Sequence, residues 1–505
     1  MSQVARPKPT ELVLLSLILL LAAGLRGWHI GADSMSADEL CSLETAAGRG
    51  LFHIVLPRDA LLIPPPRAAS LANAPPVWMV PSVMQADSNP PLYFLLLRLW
   101  EDVFGQTDAA CRSMSAVMNL LSLVVIFDLG RMLSGPRAGL WAALIMTVAQ
   151  PQIIYSHDAR PYALACLLVL LAADATVRID LLGPSARRFA VLAASVSAAC
   201  LTHYFALPAI AALAVYGAIR LRGRARWNLI LAYAISGLLV VLLWGRHFLE
   251  QWPNFSLGQS YWSFDPPGRH VAICLERLCV LPLRYLAEPP AQTVAAAALA
   301  GSVYILPWLL WRRLGMVLIG LWMTFPAALL CGLDLARGTN QIVGIRYSLA
   351  GSPAVYLLFA MVVGKARYSW LLPALACGAC VVGFQQTFER INTDFRGAAR
   401  SWIRAASPQD PLAIACGGWN ESYGGLLYLG VDHYASAPPQ VAVFLDSPPS
   451  AELDERLKKY GHVWLLMAWG IAPGSVLPGW GSRKIQDEPG TAVLYEMSPR
   501  SGVTD

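Results

Sequence analysis

Long apolar runs alternate with short polar turns through the first 386 residues of the chain, and beyond that point the alternation stops. A helix needs about 20 apolar residues to cross a bilayer. By that measure crossings are predicted over 11–30, 113–133, 138–155, 160–177, 189–202, 204–219, 228–245, 291–311, 314–333, 348–364 and 368–386, eleven in all. After residue 387 the pattern shortens. A helix is predicted after Arg396, strands over 412–416, 441–445, 462–467 and 492–495, and a charged helix over 451–460. Short apolar strands interleaved with helical stretches predict a compact α/β domain. The fold class read from the pattern is therefore a polytopic α-helical membrane protein, residues 1–386, followed by a small soluble α/β domain, residues 387–505.

The long loop 31–112 carries two further helical patterns. Ser36-Ala37-Asp38-Glu39 is a capping box, after which Leu40, Leu43, Ala47 and Leu51 recur on one face and Asp38, Ser42, Thr45 and Arg49 on the other. Such a helix lies along a membrane surface. The stretch Leu92–Phe104 reaches only about 20 Å against a core of about 30 Å, and Arg98, Glu101 and Asp102 oppose crossing. A Pro-rich loop separates the two. The loop is assigned to the membrane domain.

Composition agrees with lipid as the main solvent. Mean hydropathy is +0.50, and only 14% of the 505 residues are charged, against about a quarter in soluble chains. A net charge of +6 is too mild to predict a nucleic-acid partner. The placement of the cations says more. With Arg6 and Lys8 put in the cytoplasm, every second loop is basic: Arg131 and Arg137; Arg178, Arg187 and Arg188; the four arginines of 220–226; Arg312 and Arg313; Lys365 and Arg367. The positive-inside rule then places the N-terminus inside the cell membrane. Loop 31–112, the turn at His157–Pro161 and everything after about 387 fall outside. Of the ten cysteines, Cys166, Cys200, Cys331, Cys377 and Cys380 lie inside apolar runs, where they read as small core residues. Cys416-Gly417-Gly418 follows a predicted strand but lacks the G-x-G-x-x-G spacing of a dinucleotide site.

Four polar clusters gather on the outer face under this topology. Asp38-Glu39 follows the first span; acids there favour a helix dipole, and a carboxylate at that surface can also act as a general base. Asn89-Pro90-Pro91-Leu92-Tyr93 reads as a helix start, with Asn as N-cap and Pro at the first position. His157-Asp158-Ala159-Arg160-Pro161-Tyr162 packs both charge signs into one turn, which either anchors helix ends or serves a task. Gly344-Ile345-Arg346-Tyr347 offers an arginine that either snorkels to the interface or grips a lipid-linked phosphate through its planar fork. His203, in a tight turn before Tyr204, adds a proton or metal partner or a structural ring.

In this order the clusters resemble the C-type membrane glycosyltransferases related to protein O-mannosyltransferases and bacterial aminoarabinose transferases. The resemblance rests on Asp38-Glu39, Asn89-Pro90-Pro91-Leu92-Tyr93, Asp158-Ala159-Arg160-Pro161-Tyr162, Thr202-His203-Tyr204, Arg346-Tyr347 leading to Pro353, and Asp394-Phe395-Arg396-Gly397. It covers residues 30–400. It implies a polyprenyl-phosphate sugar donor and a glycan, lipid or protein acceptor at the outer surface of the cell membrane. Asp38 would be the general base, Glu39 would orient it or contact the substrate, and Asp158 would be a second acid, while Arg160 and Arg346 would hold the leaving phosphate. Tyr347, Asn89, Tyr93 and His203 would line the substrate. The family's usual His before Pro-Pro is Asn89 here, and Asn is a poor transition-metal ligand. A divalent metal is therefore left open, with His157 or His203 as its remaining imidazoles. The competing classes are a transporter or flippase, for which the chain shows no internal repeat or mid-span charge, and a membrane-anchored sensor.

Overall fold

The computed structural model describes residues 7–253, 265–287, 294–362, 370–382, 384–388, 394–415, 423–468, 472–488 and 492–500. Arg6, Lys365, Arg367 and the Cys416-Gly417-Gly418 stretch lie outside them. The chain divides into two compact units. One comprises Met1–Ile30, Ser88–Tyr93 and Arg112–Glu389; the other comprises Gly31–Asp87, Phe94–Cys111 and Arg390–Asp505.

The first unit is helical. Among the described residues five helices are long and apolar enough to cross a membrane: Pro9–Gly27, Asp108–Ser134, Tyr162–Leu182, Gly223–Gln251 and Met316–Arg337. Shorter apolar helices fill the other predicted runs, namely Ala186–Cys200, Leu207–Arg220, Val294–Leu309, Ser352–Met361 and Leu371–Val381. Their burial separates an inner helix from outer ones. In Tyr162–Leu182 78% of the apolar window is buried, against 17% in Pro9–Gly27 and 22% in Gly223–Gln251. The inner helix is rich in buried alanines, including Ala163, Ala165, Ala172, Ala173 and Ala175. Small residues let helix backbones approach where lipid gives no hydrophobic drive. The outer helices leave leucines such as Leu17, Leu20 and Leu242 exposed, as an apolar solvent permits.

One predicted run is broken. The stretch 138–155 forms two helices, Pro136–Val148 and Gln150–Ile154, with extended backbone at Ala149. Pro151 has no N–H to give the Thr147 carbonyl four residues back. The Gln150 N–H turns instead to Leu286 O at 2.9 Å. Two carbonyls, Met146 and Thr147, are thereby stranded in an apolar interior. Arg26, itself 1% exposed, answers both: its Nη2 donates to Met146 O at 3.1 Å and its Nη1 to Thr147 O, while Nε donates to Asn119 Oδ1 at 3.0 Å. Asn119 Nδ2 then donates to Gln152 Oε1 at 2.7 Å, and Gln152 Nε2 to Ser352 Oγ at 2.9 Å.

The helix Pro267–Arg284 has no counterpart among the predicted crossings. It buries His270, Cys274 and Arg284 but leaves Arg269 exposed, a mixture too polar to stand out as a span.

The second unit is built on a six-stranded mixed sheet: β1 (Leu61–Leu62), β2 (Leu412–Ala415), β3 (Ala442–Leu445), β4 (Val463–Ala468), β5 (Trp480–Glu488) and β6 (Ala492–Pro499), in the order β1-β3-β2-β4-β6-β5. Strand β2 runs parallel to β3 and β4, and every residue of β2 and β3 is buried. An unbroken apolar run is what a strand covered on both faces requires. Strand β6 pairs antiparallel with β4 and β5. The helices Phe395–Ala405 and Ala451–Lys458 fall where the sequence pattern puts them. Helix Tyr423–Tyr434 and the polar edge strand β5 do not appear in that pattern.

The assignment of loop 31–112 also differs. Most of it groups with the C-terminal residues, and Leu61–Leu62 pairs antiparallel with Val443 and Ala442. The Pro64-Pro65-Pro66 segment lacks N–H groups with which to build a ladder. It is tied down by side chains instead. Tyr428 Oη donates to Pro66 O at 2.7 Å, Arg67 pairs with the buried Asp432, and Ala69 N–H donates to Asp432 Oδ2 at 2.8 Å.

Two glycines mark a tight helix crossing in the first unit. A Cβ at Gly139 would stand 2.3 Å from Phe127 O, and one at Gly130 would stand 2.9 Å from Gly139 Cα. Gly139→Ala should destabilise the detergent-solubilised protein by about 1–3 kcal/mol, read as a lower thermal midpoint. Gly237, around which nothing lies within 4 Å, is the control: Gly237→Ala should leave the midpoint unchanged or raise it, because alanine favours helix by up to about 1 kcal/mol.

Candidate functional site

In the second unit the capping box closes as the sequence predicts. Helix Ala37–Ala46 begins with Ser36 Oγ accepting from Glu39 N–H at 3.3 Å, and Glu39 Oε2 accepts from Ser36 N–H at 2.9 Å. Glu39 is fully buried, so its carboxylate acts as a helix cap that fixes the first turn. Asp38 stands half-buried on that turn, with Ser42 Oγ donating to its backbone carbonyl at 3.1 Å. At the far end of the same helix Glu44 holds His53, through Nδ1 at 2.6 Å and through the backbone N–H at 2.7 Å. Burial pushes the Glu44 carboxyl above its ordinary range, and the contacts to His53 oppose that rise. Nothing in the sequence spacing marks Glu44 and His53 as a pair.

In the first unit three sequence-distant clusters meet through their rings. Tyr155 and Tyr162 pack edge to face at 5.2 Å, as do Tyr162 and His203 at 5.4 Å, while His203 and Phe205 at 5.7 Å and Phe205 and Tyr347 at 4.9 Å are tilted pairs. A guanidinium lies over each flank of this row. Arg160 Cζ is 5.9 Å from the Tyr162 ring centroid, and Arg346 Cζ is 5.2 Å from that of Tyr347. Asp158 precedes Arg160 in the same tight turn, where its carbonyl accepts from Arg160 N–H at 2.7 Å.

His203 sits between the cations in the connection ahead of helix Leu207–Arg220. Its pKa is pushed down to about 3, first by burial and then by the charges of Arg160 and Arg346. The ring is therefore neutral at pH 7 while both flanking groups are positive. A guanidinium backed by an aromatic face can grip an anion such as phosphate through two parallel hydrogen bonds.

Asn89 and Tyr93 border this row through intermediates. Tyr204 Oη donates to Gln251 Oε1 at 2.8 Å, and Gln251 Nε2 donates to Asn89 O at 3.2 Å. The Tyr93 and Ser115 hydroxyls lie 3.4 Å apart. Asn89 is not the N-cap that its sequence context suggests. The helix starts later, at Leu92, whose N–H is taken by Leu201 O at 2.9 Å.

Sequence reasoning missed what holds the Arg346 turn. Asp334, fully buried, accepts from Thr339 Oγ1 at 2.6 Å, Gln341 N–H at 2.8 Å and Ile342 N–H at 2.7 Å. Arg284 Nη2 donates to Val343 O at 2.8 Å. Together they fix the backbone just ahead of Gly344-Ile345-Arg346-Tyr347. As for a divalent metal, no three His, Cys, Asp or Glu side chains among the described residues gather into a metal-holding set. His157 Nε2 is engaged by Arg26 O at 2.8 Å, and His203 faces two cations. Among the described residues the donor set does not fit a metal.

The neutral state of His203 has a consequence for stability. A histidine with a depressed folded pKa contributes stability that is complete above its ordinary 6.5 and is lost as pH falls from there toward about 3. His203→Phe, which keeps a ring in the row, should show a shallower fall of the thermal midpoint over that interval. Parallel curves for the two proteins would contradict it.

Residues 88–245 match the family model described as dolichyl-phosphate-mannose-protein mannosyltransferase. No curated protein sequence matches the chain. Among solved structures, ArnT from Cupriavidus metallidurans bound to undecaprenyl phosphate is similar over 97% of this chain and 98% of its own, with a TM-score of 0.61 at 12% identity. The same enzyme in the apo state gives 0.60 at 13% identity, over 96% and 97%. An Archaeoglobus fulgidus oligosaccharyltransferase in complex with zinc and sulfate reaches 0.47 at 11% identity, over 95% of this chain and 72% of its own. The resemblance drawn from the motifs therefore stands: this is a multi-pass membrane chain of the ArnT fold, related through residues 88–245 to the dolichyl-phosphate-mannose-protein mannosyltransferase family.

Proposed function

We propose that the chain transfers a sugar from a polyprenyl-phosphate donor to an acceptor hydroxyl at the outer face of the cell membrane. The observation that carries this reading is the pair Arg160 and Arg346, set over tyrosine rings on either side of the uncharged His203. Its support from relatives is the region matched to a dolichyl-phosphate-mannose family and a shared fold with a protein crystallised with undecaprenyl phosphate. The topology that goes with it has eleven crossings, a cytoplasmic N-terminus and an extracytoplasmic C-terminal domain.

The step follows from the residue types. Asp38 takes the proton of the acceptor hydroxyl, whose oxygen attacks the anomeric carbon. The new glycosidic bond forms as the bond from that carbon to the phosphate oxygen breaks, and the electron pair leaves with polyprenyl phosphate. In-line attack of this kind inverts the anomeric centre. Arg160 and Arg346 hold the phosphate and stabilise the charge that grows on it, which is usually a large part of such catalysis. Tyr347, Tyr93, Asn89 and His203 line the donor, and Asp158 supplies a second acid.

Undecaprenyl phosphate in detergent is the binding probe. Arg346→Ala should weaken its binding by about 10–100-fold, the loss of a charge-assisted hydrogen bond, and Arg346→Lys should recover part of it. Transfer is read from a radiolabelled panel of undecaprenyl-phosphate monosaccharides given to envelope extracts. Asp38→Asn should cut the rate on the order of 10²–10⁴-fold with undecaprenyl phosphate binding retained. An Asp38→Asn protein that transfers at the full rate would refute the base, and movement of the labelled lipid between leaflets without transfer would make the chain a carrier.

A further inference from the structure

The Asp394-Phe395-Arg396-Gly397 motif is left without a role by the reaction above. Its arginine has an unusual set of partners within the second unit. Arg396 Nη1 donates to Ala32 O at 2.8 Å, and Nη2 donates to Gly31 O at 3.0 Å and Asp33 O at 2.8 Å. The Arg396 backbone N–H donates to Ser34 Oγ at 3.0 Å. The next residue, Met35, gives its N–H to Tyr434 Oη at 2.7 Å. Every residue from Gly31 to Met35 is thus held from the C-terminal part of the chain.

The holding groups are themselves fixed by one carboxylate. Asp108 Oδ2 accepts from Tyr434 Oη at 2.7 Å and from Arg396 Nη2 at 2.5 Å, and Asp108 Oδ1 meets His433 Nε2 at 2.9 Å. The Arg396 guanidinium also lies 5.5 Å from the Tyr434 ring centroid. Asp108 and His433 are each less than a tenth exposed. The Gly31–Met35 run has no helix or strand of its own, so these bonds replace the ladder that would otherwise set its path. Met35 is followed at once by the Ser36 cap and by Asp38 on the first helical turn.

We propose that Arg396, with Asp108 and Tyr434, is a positioning device for Asp38. It sets where the base stands by fixing the backbone that delivers it. The device touches no substrate, and it rests on the reading of Asp38 as the general base. A displacement of about 1 Å at a reacting group costs on the order of 10²-fold in rate. The loss should therefore appear in kcat and not in the binding of undecaprenyl phosphate.

The test is a double-mutant cycle on the full-length protein, read with the radiolabelled donor panel alongside undecaprenyl phosphate binding. Arg396→Ala should lower kcat on the order of 10²-fold at unchanged binding. The milder Tyr434→Phe, which removes only the hydroxyl between Met35 and Asp108, should lower it by a smaller factor. Arg67→Ala, which breaks the Arg67–Asp432 pair elsewhere in the same unit, controls for loss of stability: it should lower the thermal midpoint and spare the rate of the folded fraction. In the Asp38→Asn background Arg396→Ala should cost little further, since residues that act as a unit are not additive. If Asp38→Asn is slow and Arg396→Ala costs the same factor in both backgrounds, the positioning role is wrong and the base survives. If Asp38→Asn is as fast as wild type, the base reading is what fails. A drop in undecaprenyl phosphate binding in Arg396→Ala, or a full kcat, would also overturn the proposal.

Discussion

The constraint on which the helical unit depends is that a backbone carbonyl in an apolar interior must find a donor within the protein. Most spans meet it by remaining helical. The run from Pro136 does not, because Pro151 breaks the bonding pattern, and the unit answers with a buried arginine on a different helix. Among the described residues Arg26 donates to neutral groups: two carbonyls and the Asn119 side chain. The carbonyls sit at the C-terminal end of helix Pro136–Val148, where the helix dipole favours a cation. The break is useful. It steers the chain into the polar turn that carries Asp158 and Arg160, and His157 in that turn is fastened to the carbonyl of Arg26 itself.

The same economy recurs around the cationic pair. Arg346 stands in a stretch of short 3-10 turns that cannot fix its position by regular bonding. Asp334 and Arg284 secure the approach to it from two neighbouring helices. The ring row from Tyr155 to Tyr347 then spaces the two guanidiniums with stiff side chains. Rigid aromatic spacers lose little freedom on ordering, so the row holds its rings at little entropic cost.

Much of this was legible in the chain, and the reasons for the rest are physical. The capping box at Ser36 and the helix Leu92–Phe104 were readable because they are local, written in neighbouring residues. The buried strands β2 and β3 were readable because a short, continuous apolar run between polar turns suits a strand covered on both faces. The split at Ala149 was not legible, since 138–155 reads as one span, and the partner that makes it tolerable lies more than a hundred positions away at Arg26. Long-range side-chain bonds of that kind leave no periodic trace. Strand β1 is two residues long and β5 is polar, so neither produces an apolar alternation. For the site, the motifs named Arg160, His203 and Arg346 singly; their common row of rings exists only in three dimensions. Glu39 was legible twice, as a cap and as a candidate for chemistry, and the cap is formed.

The pairing of the Pro-rich loop with residues near the end of the chain bears on how the protein is made. Arg67 and its carboxylate partner Asp432 are 365 positions apart, and Leu61–Leu62 must wait for Ala442–Val443. A ribosome delivers the first loop long before the strand that receives it. During that interval the loop's proline-rich backbone, short of donors of its own, offers little template for wrong partners. A truncation that removed Ala442–Leu445 would strip the loop of its strand partner, so damage there would be felt by residues made long before it.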